Sequence, residues 1–107
     1  MVRSTLGEFE QQVLLVILRL GRESYSVPIV AELERHIGRE VATAAVYIAL
    51  RRLEKKGLLT SRLDGERSAR PRRYFALTDR ALEPLRASRN AYLSLWDGIG
   101  PALDGKG

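Results

Sequence analysis

Cysteine is absent from the chain, which excludes thiolate catalysis, disulfide frameworks and every cysteine-containing zinc or iron–sulfur site. Histidine occurs once, as His36. With no thiol and no second imidazole beside it, His36 reads as a cationic ring near a helix end and not as a catalytic base or metal ligand. Long apolar runs are also lacking. Val13 to Leu18, all large aliphatics, spans six residues, against about 18 for a membrane span. No signal-peptide pattern opens the chain, so the expected compartment is the cytoplasm. What is present is 107 residues, room for one domain, with the 45% hydrophobic and 29% charged balance of a globular fold.

The net charge of +5 is unevenly placed. Residues 1–42 carry a net −1, residues 43–73 a net +6, and residues 74–107 are neutral. A cationic stretch confined to one window suits a polyanion partner, although the same composition also describes a solvated surface. The local structure of the window decides between these.

Leu6–Leu20 carries two glutamates in its first turn, apolar residues at helical spacing and Gly21 as a stop, which predicts a central helix packed on several sides. A second helix is expected from a Ser26 cap, with Pro28 in its first turn, to Gly38. Its core stripe is Ile29, Leu33 and Ile37. A third helix is expected from Ala42 or Thr43 to Gly57. At 100° per residue, Val46, Ala49, Leu50 and Leu53 share one arc, and Ala44, Tyr47, Ile48, Arg51 and Lys55 lie broadly opposite. The first arc is core. The second is small, then aromatic, then positive, a shape suited to a groove flanked by phosphates.

Leu58–Leu63 and Arg72–Leu77 read as strands, joined by the polar segment DGERSARP. Asp64 and Glu66 are the best carboxylate pair for acid–base chemistry, but an exposed loop offers no means of raising a pKa, and an enzyme is not expected. Thr78-Asp79 is expected to cap a last helix reaching about Gly98, with Pro84 either kinking it or sitting in the first turn of a restart. Leu82, Leu85, Arg89, Tyr92, Trp96 and Ile99 alternate spacings of three and four, the stripe of a helix that packs on another helix. Self-association follows.

Helix, helix, basic helix and hairpin is the order of a winged helix-turn-helix: mainly α with a small β-hairpin, an α+β fold. The expected division is a DNA-binding domain over 1–77, a dimerisation helix over 78–99 and a frayed tail over 100–107. The segments VYIALRRLEKKGLL (Val46–Leu59), ARPRRYFALT (Ala69–Thr78) and VLLVILRLG together resemble the PadR family of bacterial transcriptional regulators, over residues 6–96. The chain departs from that pattern at Ala42, where a serine-like cap is usual, at Ala44 and Ala45, where glycine and threonine are common, and at Ala81, where a glycine often follows LT.

Both readings imply a homodimer on double-stranded DNA, with the two basic helices about one turn apart on a pseudo-palindromic operator. Thr43, Ala44, Tyr47 and Ile48 are expected at base edges or thymine methyls. Arg51, Lys55, Arg67, Arg70, Arg72 and Arg73 are expected at phosphates or in the minor groove, with strand alternation offering Arg73 a structural role instead. The resemblance further implies a ligand-responsive repressor, with Leu85, Arg89, Tyr92, Trp96 and Ile99 at the dimer face and room there for a small planar hydrophobic effector, although a plain dimer core uses the same residues. No cofactor is implied. The alternative is a winged-helix interaction module whose arginines meet an acidic protein.

Overall fold

The computed structural model describes residues 6–65 and 70–105. Three helices, α1 (Glu8–Arg19), α2 (Ser26–Ile37) and α3 (Thr43–Lys55), pack around one core. It is closed by an antiparallel sheet of β1 (Glu23–Ser24), β2 (Leu59–Asp64) and β3 (Arg72–Leu77), in the order β1-β3-β2. A 3-10 turn over Asp79–Ala81 leads into α4 (Leu82–Trp96) and the short α5 (Gly100–Leu103). The fold is a winged helix-turn-helix with a C-terminal helix. Among the described residues no helix is long and apolar enough to cross a membrane.

The helices form where apolar periodicity predicts them. Val13, Leu14 and Ile17 of α1, Ile29 and Leu33 of α2, and Val46, Leu50 and Leu53 of α3 are buried in one cluster. Burying each removes apolar surface worth about 1.5–3 kcal/mol from water. Gly38 ends α2 in the left-handed region, at φ 82°, and its N–H donates to the Glu34 carbonyl. Gly57 follows α3 at φ 80°, with the Arg80 guanidinium 2.8 Å from where a Cβ would stand. A side chain there meets backbone strain, and the flexible end of Arg80 has to move aside.

Several expectations need correction. Tyr25, not Ser26, is the N-cap residue of α2. The wing has a third strand, because Glu23 and Ser24 pair with Ala76 and Phe75. β2 runs one residue later than expected. Thr78 caps no helix with its side chain; its hydroxyl donates to the Gly57 carbonyl at 2.8 Å. The 3-10 turn that follows lets α4 begin at Leu82, which places Pro84 in the first turn, where its missing N–H breaks no helical bond. α4 ends at Trp96, and Gly100–Leu103 of the expected frayed tail forms one helical turn. α1 is packed on several sides, as its sequence predicts, with Leu15 and Leu18 exposed on the side facing α4.

The start of α3 is uncapped. Ala42 holds the N-cap position in extended conformation and has no side-chain oxygen to accept from the first turn. Ala42→Ser should therefore stabilise the fold by about 1 kcal/mol, read as a higher urea midpoint at unchanged slope. An unchanged midpoint would show that this turn is already satisfied.

Candidate nucleic-acid interface

α3 divides as its sequence predicts. Val46, Ala49, Leu50 and Leu53 are buried, whereas Thr43, Ala44, Tyr47, Ile48, Arg51 and Lys55 are exposed. Tyr47 and Ile48 stand 43% and 54% exposed, an apolar pair in open solvent on a helix that becomes cationic one turn later. Tyr47 is braced, not loose: its ring meets the buried Phe75 ring edge-on at 6.2 Å, and the Arg51 guanidinium lies over it, 6.0 Å from the ring centroid. Arg51 also pairs with Glu54 at 3.2 Å, an exposed i,i+3 bridge of small energy that a phosphate can displace.

Strand alternation sorts the wing. Arg73, Phe75 and Leu77 share one face of β3, and Arg72, Tyr74 and Ala76 the other. Phe75 is buried, so the first face is the core side. Arg73 accordingly is half-buried and donates to Ser61 Oγ at 3.2 Å, while the Ser61 hydroxyl donates to Glu54 of α3. It ties the wing to α3, the structural role that alternation offered it. Arg70 and Arg72 are exposed. Arg67 lies outside the described residues.

Arg70, Arg72 and Arg73 converge on a cleft of about 370 Å³ between β3, the start of α2 and Tyr47. Among the described residues three arginines line it and no carboxylate does. Behind it lies an aromatic and cationic column that sequence reasoning missed. The Arg72 guanidinium stacks 4.6 Å from the Tyr25 ring centroid, Tyr25 lies 5.3 Å from Tyr74, and the Arg62 guanidinium stacks 4.8 Å from Tyr74. Arg62 in turn grips Glu23 through two hydrogen bonds of 3.2 Å, and the Glu23 carboxylate raises its pKa further above the ordinary range. The only signal for this column was the composition of the segments Glu23–Tyr25 and Arg72–Tyr74, because its contacts join residues far apart in sequence.

A second unpredicted element fixes α3 against α1. Glu10 closes the first turn of α1 by accepting from the Gly7 N–H at 3.2 Å, and it accepts from Lys56 Nζ at 2.7 Å. Burial opposes its charge, but the Lys56 and Gly7 hydrogen bonds and the charges of Lys56 and Arg52 outweigh that, so its pKa falls below the ordinary carboxylate value. His36 rests 3.0 Å from Glu32 at the exposed end of α2.

The expected dimer residues fall into two groups. Leu85 is buried in the core of its own chain, because the 3-10 turn draws the first turn of α4 back against it. Arg89, Tyr92, Trp96 and Ile99 are exposed, and the Tyr92 and Trp96 rings touch edge to face at 6.1 Å. Between α4 and the exposed Leu15 and Leu18 of α1 runs a groove of about 510 Å³, lined also by Leu85, Arg89, Tyr92 and Leu93.

Comparison with known proteins places these features in a family. No curated protein matches the chain. A crystal structure of a PadR family transcriptional regulator from Eggerthella lenta DSM 2243 is 34% identical, with a TM-score of 0.70 over 90% of this chain and 86% of that one. The structure of H. salinarum RosR is 26% identical, with a TM-score of 0.73 over 88% and 80%. A PadR family transcription regulator from hypervirulent Clostridium difficile R20291, 21% identical, shares the fold at a TM-score of 0.72 over 91% and 99%. The transcriptional regulator PadR-like family matches residues 13–86, from the middle of α1 through the wing into α4, and the chain belongs to that family.

Proposed function

We propose that the chain is a sequence-specific DNA-binding regulator that works as a homodimer on a pseudo-palindromic operator, and that it is a repressor responsive to a small planar hydrophobic ligand. The observation that carries the reading is the exposed face of α3. Thr43, Ala44, Tyr47 and Ile48 are exposed, with Arg51 and Lys55 on the same side and the wing arginines around a cleft beside Tyr47. A solvated face has no use for a braced tyrosine and an isoleucine; a major groove offers both thymine methyls and base edges. The cations then meet the flanking phosphates.

In this reading α4 joins two copies, and the two α3 helices lie about 34–36 Å apart, one turn of duplex. The groove between α1 and α4, with Tyr92 at its wall, supplies apolar and aromatic surface of the kind a flat effector stacks upon.

Electrostatics provides the test. With some six phosphates neutralised, the logarithm of the binding constant should fall against the logarithm of salt concentration with a slope of about −5. The measurement is a titration of a site selected from a random DNA pool. A slope near zero would remove the DNA reading. Failure to select or protect any site would favour an acidic protein as the partner of the same arginines.

A further inference from the structure

The cleft between β3, α2 and α3 has a distinctive property: among the described residues one of its arginines is held by stacking and by no ion pair. Arg72 lies opposite Asp64 in the β2–β3 register, the place where a cross-strand ion pair is expected. Asp64 instead lies 3.9 Å from Arg62. Arg72 is turned onto the face of Tyr25, 4.6 Å from the ring centroid, and among the described residues it forms no ion pair. Stacking fixes the plane of a guanidinium but leaves its N–H edges open, and those edges match two oxygens of a phosphate. The ring itself is fixed from behind by Tyr74, Arg62 and Glu23. Among the described residues no carboxylate lines the cleft to repel an anion.

We propose that this cleft seats one backbone phosphate of the bound duplex, with Arg72 as the donor and Tyr25 as the positioning residue that aims it. The inference rests on the DNA-binding reading above and adds a role for the start of α2, which that reading leaves idle. A guanidinium already seated over a ring loses little freedom when it binds, so the contact is stronger than that of a free surface arginine.

A phosphate contact is independent of sequence, so a fluorescently labelled duplex of arbitrary sequence serves as the probe, titrated between about 50 and 200 mM salt. Arg72→Gln should reduce the magnitude of the salt slope by about 0.9 and weaken binding about five- to tenfold at the lower salt. Tyr25→Leu, which keeps every charge, should lower affinity and slope nearly as far, whereas Tyr25→Phe, which keeps the ring face, should behave as the unaltered protein. Tyr25→Leu combined with Arg72→Gln should add nothing to Arg72→Gln alone. Thermal melting of each variant identifies any that fails to fold, and Arg72→Gln, on the surface, decides for the seat in that event. An unchanged slope in Arg72→Gln overturns the seat; a folded Tyr25→Leu with the full slope overturns the positioning role. If the unaltered protein itself shows no salt-dependent binding, the DNA reading fails and this inference with it.

Discussion

Replacing Tyr92 and Leu95 together by glutamate should yield a folded monomer whose affinity for its operator is lower by at least about 100-fold. The two side chains are 61% and 74% exposed, and the single chain gains little from burying them. They project from α4 beyond the turn that Leu85 anchors, so the melting of the three-helix core should change little. In the proposed dimer Tyr92 lies at the seam and Leu95, one turn further along α4, borders it, so two negative charges on each chain face their copies across the two-fold axis and cannot be desolvated without several kcal/mol of cost. A monomer keeps its half-site contacts but loses the second, linked binding event, and the gain from that linkage is typically two to four orders of magnitude. Sedimentation or light scattering reads the mass and a gel shift on the selected operator reads the affinity. A variant that remains dimeric, or a monomer that binds as tightly as the parent, is incompatible with α4 as the seam.

The second large effect lies in the wing. Phe75→Ala should cost about 3–5 kcal/mol, much of the total stability of a domain this small. Phe75 is 1% exposed on the central strand of the sheet, flanked by β1 and β2, and its ring supports Tyr47 edge-on. Truncation leaves a cavity where α3 and the sheet meet. Urea denaturation checks the magnitude. The same variant should weaken DNA binding more than its unfolded fraction accounts for, since Tyr47 loses its brace. A loss below about 1 kcal/mol would mean that the cavity collapses at little cost.

How much of this was legible in the sequence depended on how local each feature is. The two faces of α3 follow from a 3.6-residue period and a stop at Gly57, and each buried residue stands where that period places it. β3 was legible to the residue, because Tyr74 and Phe75 favour strands and alternation separates Arg72 from Arg73. β1 was not: two residues carry no period, and they form a strand only because β3 passes beside them. The Glu10–Lys56 contact joins positions 46 apart, and in the sequence Glu10 is one acidic residue in a first turn like any other. The stack of Arg72 on Tyr25 was hidden for the same reason. Leu85 obeys the same spacing as Tyr92 and Trp96, yet it is buried within its own chain. Periodicity identifies the apolar stripe and says nothing of where one partner ends and the next begins.

The Glu10–Lys56 contact has a mechanical consequence. It ties the first turn of α1 to the end of α3, across a core those helices already share, and so opposes motion of α3 alone. In the proposed function, α3 as the DNA-reading helix and α1, which walls the α4 groove, should then move together. In the proposed dimer, a molecule wedged into that groove has no need to deform the wing or α3. It tilts each half as a unit and changes the span between the two reading heads, so the response to the ligand should depend on the spacing of the operator's half-sites more than on their bases.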